Sequence, residues 1–107
     1  MPFTYILRCA DDTLYVGHTE DLAAREHLHN EGRGAAYTAR RRPVRIVYAE
    51  EYASLQAAIA RELQLKRWSS KKKEALVRSD RLALSSYAHK PLKSRGATWR
   101  DLLTPRG

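Results

Sequence analysis

Two short apolar segments near the N-terminus constrain the fold of this chain more than any other feature. Residues 3–7 (FTYIL) and 14–19 (LYVGHT) are separated by a polar, turn-like stretch, and a helix-like segment follows them directly. In the first segment every second side chain, beginning with Phe3, is large and apolar, and Ile6 adds an apolar side chain on the other face. A repeat of two residues is typical of a β-strand. The pattern predicts two strands paired as a hairpin, joined by a loop of about four residues.

Cap residues divide the following sequence into further elements. Thr19 is predicted to be the N-cap of a first helix, and Gly32 to lie at its C′ position. Ser54, and then Ser69 or Ser70, are predicted to cap two later helices. The predicted elements are strands over residues 3–8, 13–17 and 44–52, a loop over residues 32–43, and helices over residues 20–31, 55–68 and 71–78.

This order of elements, β-β-α-β-α-α, predicts an α+β fold with a small three-stranded, largely antiparallel sheet flanked by helices. With 107 residues, the chain has the size of one domain. We expect residues 1–78 to form that domain. Residues 79–107 are expected to form a C-terminal extension of short helices or irregular chain, without a second domain.

The charge balance indicates a polyanionic partner. The chain has 20 Lys and Arg residues against 12 Asp and Glu, a formal net charge of +8, which favours nucleic acid first and anionic membranes second. No apolar run approaches the roughly 18 residues that cross a bilayer, and the N-terminus lacks a secretory signal. The single cysteine, Cys9, is expected to be a small core residue. We therefore expect a cytoplasmic protein with no membrane partner.

A carboxylate lies on the apolar stripe that is predicted for the second long helix. Leu55, Ile59, Glu62, Leu63 and Lys66 fall at helical spacing and share one face, with Ala58 and Leu65 beside them. A carboxylate on such a face is costly unless it is paired or binds a cation. The alternative is an exposed Glu62–Lys66 pair one turn apart, which stabilises a helix by about 0.3–0.5 kcal/mol.

Several polar side chains are expected to converge with this carboxylate on one side of the sheet. Phosphodiester cleavage needs a phenol or imidazole to activate water, a carboxylate to hold a divalent ion, and a guanidinium to match the growing charge. Gly17 ends the second strand, where a ligand would need room. The two tyrosines are also explained as strand residues with buried rings. The candidates are Tyr5, Tyr15, Gly17, Arg25, His29 and Glu62.

The landmarks of a known family occur in order along most of the chain. Residues 15–17 (YVG) match one half-motif, and residues 3–5 (FTY) occupy the other, with its tyrosine kept but Phe and Thr in place of Gly and Ile. The later landmarks are Arg25, His29-Asn30, residues 32–38 (GRGAAYT), and Glu62 with residues 65–68 (LKRW). Over residues 3–77 the chain thus resembles the GIY-YIG nuclease superfamily, in particular its small stand-alone bacterial members. His18 departs from the family, which usually has an aliphatic residue or lysine there.

The resemblance implies metal-dependent cleavage of DNA, with structured or damaged DNA in repair or recombination as the expected substrate. By that similarity Glu62 would ligate one Mg²⁺ or Mn²⁺ ion, and Arg25 would stabilise the pentacovalent phosphorus. Tyr5 would be the general base, with Tyr15 orienting water or sharing that role, and His29 would handle protons or contact phosphate. Because a free phenol titrates near pH ~10, we expect Arg25, Lys66 or the metal ion to lower the pKa of Tyr5.

Basic residues of the glycine-rich loop and of the second long helix are expected to contact nucleic acid. The loop leaves the proposed active face, and its Tyr37 is expected to stack on a base. A zinc site is not expected, because His27 and His29 point to different faces of a helix. The expected partner is DNA, with RNA left open. The candidates for contact are Arg33, Tyr37, Arg40, Arg41, Arg42 and Lys66.

Two alternatives to an active nuclease remain at this point. The same scaffold could be a non-catalytic nucleic-acid-binding module, which would bind with a steep salt dependence and without cleavage. It could also be a subunit that becomes active only with a partner protein. The sequence leaves the oligomeric state open.

Overall fold

A three-stranded antiparallel sheet organises the structure. The computed structural model describes residues 1–79, and the predicted extension beyond them lies outside the described residues. The strands are β1 (Phe3–Arg8), β2 (Leu14–Thr19) and β3 (Arg45–Glu51), in the spatial order β2-β1-β3. The helices are α1 (Leu22–Asn30), α2 (Ala36–Ala39), α3 (Leu55–Lys66) and α4 (Ser70–Ser79). The predicted α+β class and antiparallel sheet are therefore confirmed.

Helices cover both faces of the sheet because both faces are apolar. One face packs around Tyr5 and Leu7, together with Leu22 of α1. The other face packs around Ile6, with Leu65 of α3 and flanking apolar residues of α4. The central strand β1 is consequently buried on both sides. No helix within residues 1–79 is long and apolar enough to cross a membrane.

The helix caps agree with those predicted from the sequence, with one exception. Ser54 and Ser69 cap α3 and α4 as predicted, each accepting a backbone N–H at 3.1 Å. Gly32 follows α1 with a φ of 82°, the left-handed conformation that ends many helices. The cap predicted at Thr19 is wrong, because Thr19 still belongs to β2 and Asp21 caps α1 instead.

The apolar stripe predicted for α3 is right only in part. Leu55 is 45% exposed and Leu63 is 57% exposed, whereas the helix buries Ala58 and Leu65. The small side chain at Ala58 allows α3 to approach the sheet closely. The Thr4 hydroxyl of β1 can therefore donate to the Ala58 carbonyl at 2.7 Å.

A buried ion pair fastens α3 to β3. Glu50 is completely buried, and its carboxylate accepts from the Arg61 guanidinium at 2.9 and 3.0 Å and from the hydroxyls of Tyr48 and Tyr52, each at 2.6 Å. Burial alone would raise the pKa of Glu50, but the hydrogen bonds from Arg61 and the tyrosines outweigh it and lower the pKa. Because Arg61 immediately precedes Glu62, this ion pair also helps to fix the position of Glu62.

Candidate active site

Tyr5 and Gly17 form a cross-strand pair at the centre of the site. Tyr5 on β1 lies directly opposite Gly17 on β2, and only 1% of Tyr5 is exposed. A Cβ atom on Gly17 would lie 2.6 Å from the Cζ atom of Tyr5, too close for any packing arrangement. We expected the space at Gly17 to accommodate a ligand, but the phenol of Tyr5 occupies it.

A chain of hydrogen bonds runs from Tyr5 through His29 into the glycine-rich loop. The Tyr5 hydroxyl lies 2.9 Å from Nε2 of His29, and Nδ1 of His29 lies 2.7 Å from the Thr38 hydroxyl. That hydroxyl donates its proton to the Ala35 carbonyl at 3.1 Å, so towards His29 it acts as an acceptor. His29 therefore carries its proton on Nδ1, and Nε2 accepts the hydrogen bond that Tyr5 donates.

Burial keeps both Tyr5 and His29 neutral. Burial raises the pKa of Tyr5 well above its ordinary value of 10.0 and outweighs the lowering effect of Arg25. Arg25 thus lowers this pKa as expected, but a net lowering by the protein's own cations is wrong, because burial has the larger effect. Burial, and then the charge of Arg25, lower the pKa of His29. At neutral pH the pair is a phenol that donates to an uncharged imidazole.

Glu62 is held between two basic side chains. One carboxylate oxygen contacts Nδ1 of His18 on β2, and the other accepts from Nζ of Lys66 at 2.7 Å. The Glu62 side chain is only 12% exposed, although Leu55 and Leu63 of the predicted stripe are exposed. Burial alone would raise the pKa of Glu62, but the hydrogen bonds from Lys66 and His18 outweigh it and lower the pKa. Glu62 is therefore an ionised carboxylate, and its charge reaches Tyr5.

Tyr15 connects the histidine to the carboxylate. Its ring lies edge-on to His29 with the centroids 5.5 Å apart, and it stacks on Tyr37 at 6.0 Å. Nζ of Lys66, which also binds Glu62, lies 5.8 Å from the centre of the Tyr15 ring. Arg25 and Glu62 lie close enough to Tyr5 to affect its pKa. The structure thus brings together the predicted residues Tyr5, Tyr15, Gly17, Arg25, His29 and Glu62.

Two arginines of the loop hold the loop together. Arg41 donates to Asp11 at 3.0 Å and to the Tyr37 carbonyl at 2.8 Å, and its guanidinium lies 3.8 Å from the centre of the Tyr37 ring. Arg42 donates to a backbone carbonyl of α2 at 2.8 Å. The Tyr37 ring, predicted to stack on a base, is therefore already stacked on Tyr15 and Arg41 within the protein.

The remaining predicted nucleic-acid contacts face solvent. Arg40 is exposed, Arg33 is exposed beside Glu31 at 3.7 Å, and the Lys66 side chain is 44% exposed. An exposed cationic side chain can contact a phosphate without giving up contacts that stabilise the fold. These three residues are therefore better placed for nucleic acid than Arg41 and Arg42.

Three residues of the site were missed by sequence reasoning. His18 binds Glu62, Thr38 fixes the tautomer of His29, and Gly34 lets the loop pass over the His29 ring. A Cβ atom on Gly34 would lie 2.6 Å from two carbon atoms of that ring. The available signals were indirect: His18 departs from the resemblance, and Gly34 and Thr38 fall within the segment GRGAAYT.

Glu62 is the residue that fits a divalent ion. Within residues 1–79, no three His, Cys, Asp or Glu side chains are grouped into a ready-made cage. Mg²⁺ usually keeps several waters and is held by one or two carboxylates and substrate phosphates. The single ionised carboxylate of Glu62 fits that chemistry, whereas zinc needs three or four protein ligands.

Comparisons with known proteins match one family model and several UPF0213 proteins. The sequence model of the GIY-YIG catalytic domain matches residues 1–75. A UPF0213 protein of Bacillus pumilus is 42% identical over 80 residues, which cover 75% of this chain and 82% of that protein. A UPF0213 protein of Staphylococcus aureus is 43% identical over 76 residues, which cover 71% of this chain and 93% of that protein. The solution NMR structure of a UPF0213 protein from Bacillus halodurans is 39% identical, with 73% and 84% of the two chains covered and a TM-score of 0.48.

Proposed function

Because the chain belongs to the GIY-YIG catalytic domain family, we propose that it is a metal-dependent endonuclease that hydrolyses phosphodiester bonds in DNA. The observation that carries the proposal is the hydrogen bond from Tyr5 to the neutral His29 beside the ionised Glu62. This group combines a proton acceptor for water with an anionic position for a divalent ion. The proposed substrates are structured or damaged DNA that arise in repair or recombination.

In the proposed reaction, Tyr5 takes a proton from the attacking water as His29 takes the phenolic proton of Tyr5. Nε2 of His29 accepts that proton along the existing hydrogen bond, so the buried Tyr5 never has to persist as a phenolate. The water oxygen bonds to phosphorus, the bond to the leaving oxygen breaks, and that oxygen takes a proton from solvent. Thr38 keeps Nε2 free to accept by holding the other proton on Nδ1.

Arg25 and Lys66 are proposed to bind the phosphate that reacts. The guanidinium of Arg25 matches the phosphoryl oxygens and lies close enough to Tyr5 to lower its pKa against the effect of burial. Tyr15 keeps His29 and Lys66 in position through its ring contacts. A divalent ion held by Glu62 would polarise the phosphate and stabilise the leaving oxygen.

Cleavage assays with Arg25→Ala test this proposal. The wild-type protein is expected to nick DNA with Mg²⁺ or Mn²⁺ and to lose that activity in EDTA. Arg25→Ala is expected to lower the single-turnover rate by about 10²–10³-fold, because the guanidinium stabilises charge that grows in the transition state. Duplex, flap, junction and single-stranded DNA are the substrates to screen.

Arg45→Ala is the matched control, because Arg45 is an exposed arginine at the start of β3 that takes no part in the proposed reaction. Its cleavage rate is expected to stay within about twofold of wild type. Equal cleavage by the wild type and Arg25→Ala would identify a contaminating nuclease and would contradict the proposal.

The acid limit of the pH–rate profile is expected to lie below the ordinary pKa of histidine, about 6.5. His29 must be uncharged to take the proton of Tyr5, and burial together with Arg25 lowers the pKa of His29. The rate should therefore hold as the pH falls towards 6.5, and drop only as His29 becomes protonated at lower pH. Single-turnover rates at saturating metal measure this profile, and an acid limit above 6.5 would argue against His29 as the proton acceptor.

One feature favours a second candidate, a nucleic-acid-binding module without turnover. Both oxygens of Glu62 are engaged by His18 and Lys66, so a metal ion has to share the carboxylate with these two basic side chains or displace one of them. The cleavage screen separates the two candidates. Binding with a steep salt dependence, and no cleavage of any substrate with either ion, would favour the module. Cleavage that appears only with a co-purifying protein would indicate a subunit.

A further inference from the structure

A group of exposed cations joins α3 to α4 beside the candidate active site. We call this group the basic corner, and its members are Lys66, Arg67, Lys71 and Lys72. Lys66 begins it, since its Nζ donates to Glu62 at 2.7 Å and lies 5.8 Å from the centre of the Tyr15 ring. The basic corner therefore starts at the candidate active site and leads away from it along the chain.

The lysines of the basic corner lie at the unfavourable end of their helix. Ser69 caps α4 by accepting the Lys72 N–H at 3.1 Å, so Lys71 and Lys72 lie in the first turn. The N-terminal end of a helix carries a partial positive charge and favours Asp or Glu. Lys72 even occupies the third position after the cap, where a glutamate would complete a capping box. No acidic residue lies in that turn. Positive charges that destabilise the helix on which they lie indicate that these residues serve a function other than folding.

Trp68 gives the basic corner a defined shape. Its indole packs against the apolar core between the sheet and α4, and Nζ of Lys72 lies 4.2 Å from the centre of the indole. This cation–π contact restrains Lys72 on the surface, which reduces the entropy that binding would otherwise cost. Arg41 and Arg42 of the loop, by contrast, are engaged within the protein. The basic corner is thus a partly ordered cationic surface next to the site.

We propose that the basic corner binds backbone phosphates of the nucleic acid on one side of the bond that is cut, an inference that rests on the proposed function. Lysine ammonium groups act as point charges that contact phosphates without reading the base sequence. Lys66 contacts the phosphate that reacts, and Lys71 and Lys72 contact phosphates farther along the same strand. Each contact releases counterions, so its loss weakens binding in a salt-dependent manner.

Two charge reversals at opposite ends of α4 test this proposal. Lys71→Glu and Arg78→Glu change the net charge equally, and Arg78 lies in the last turn, where a cation is favourable. Lys71→Glu is expected to weaken binding of a fluorescent DNA duplex in EDTA by about 10-fold and to reduce the salt slope by about one. It should at the same time raise Tm by about 3 °C, because an acid suits the first turn. Arg78→Glu is expected to lower Tm and to change binding by less than about 2-fold.

Opposite changes in stability and binding for Lys71→Glu are a result that a purely structural role would not give. Equal losses of binding in Lys71→Glu and Arg78→Glu, or no loss in either, would overturn the proposal while leaving wild-type DNA binding and the proposed nuclease intact. If the wild-type protein did not bind DNA at all, that result would contradict both the role of the basic corner and the proposed nuclease function. Lys71→Gln, which removes the charge without reversing it, gives the same comparison if the reversal prevents folding.

Discussion

Tyr5→Phe is expected to lower the cleavage rate by about 10²–10⁴-fold, the usual contribution of a positioned general base. The substitution keeps the ring that packs over Gly17 and removes only the oxygen that lies 2.9 Å from Nε2 of His29. That oxygen is proposed to receive the water proton in the transition state, so the loss should appear in kcat with little change in KM. Single-turnover rates and DNA affinity, measured in parallel, separate an effect on the chemical step from an effect on substrate binding.

Stability must be measured beside the rate of Tyr5→Phe. The substitution leaves a buried nitrogen of His29 without its donor, which costs about 1–3 kcal/mol. Tyr52→Phe is a matched control, because it removes a tyrosine hydroxyl that donates to Glu50 at 2.6 Å away from the proposed reaction. Its rate is expected to remain within about threefold of wild type. A folded Tyr5→Phe protein with the wild-type rate would show that another group activates the water.

The strands and longer helices could be predicted because their signals are local. Alternation in residues 3–7 lies within one strand, and Ser54, Ser69 and Gly32 act on their own helix ends. The prediction of a cap at Thr19 fails because pairing with β1 extends β2 by two residues, and this tertiary contact overrides the local preference. The single turn α2 has no side-chain cap and is too short for a periodic signal.

The candidate site could be predicted only in part, because residue types do not report contacts across the fold. A helical stripe indicates which side chains are apolar, and does not say which of them meet the sheet. α3 approaches the sheet through Ala58, so Leu63 remains exposed. The contact of His18 with Glu62 joins residues 44 positions apart, for which no local pattern exists. The raised pKa of Tyr5 likewise follows from burial that only the packed structure shows.

Arg61→Ala is expected to lower the free energy of unfolding by about 3–5 kcal/mol, because it removes the cation from a buried carboxylate. Glu50 is completely buried and accepts two hydrogen bonds from Arg61, which fasten α3 to β3. Small domains are stable by only about 5–15 kcal/mol, so the loss should shift the urea midpoint strongly without changing m. Arg45→Ala removes an exposed arginine from the same strand and is expected to change stability by less than about 0.5 kcal/mol.

The pH dependence of this loss distinguishes a buried charge from lost packing. In the wild type the pKa of Glu50 is lowered, so its contribution to stability is present above about pH 4.5 and is lost as the pH falls through the folded-state pKa. Without Arg61, burial would raise that pKa. As the pH falls from 7 to 5, Glu50 of the variant should therefore take up a proton, which removes the destabilising buried charge. The deficit of Arg61→Ala should therefore shrink over this range, and the double variant Glu50→Gln, Arg61→Met should recover most of the stability at pH 7. A deficit that stays constant with pH would instead assign the loss to the packing of Arg61 on Trp68, whose ring centre lies 5.2 Å from the guanidinium.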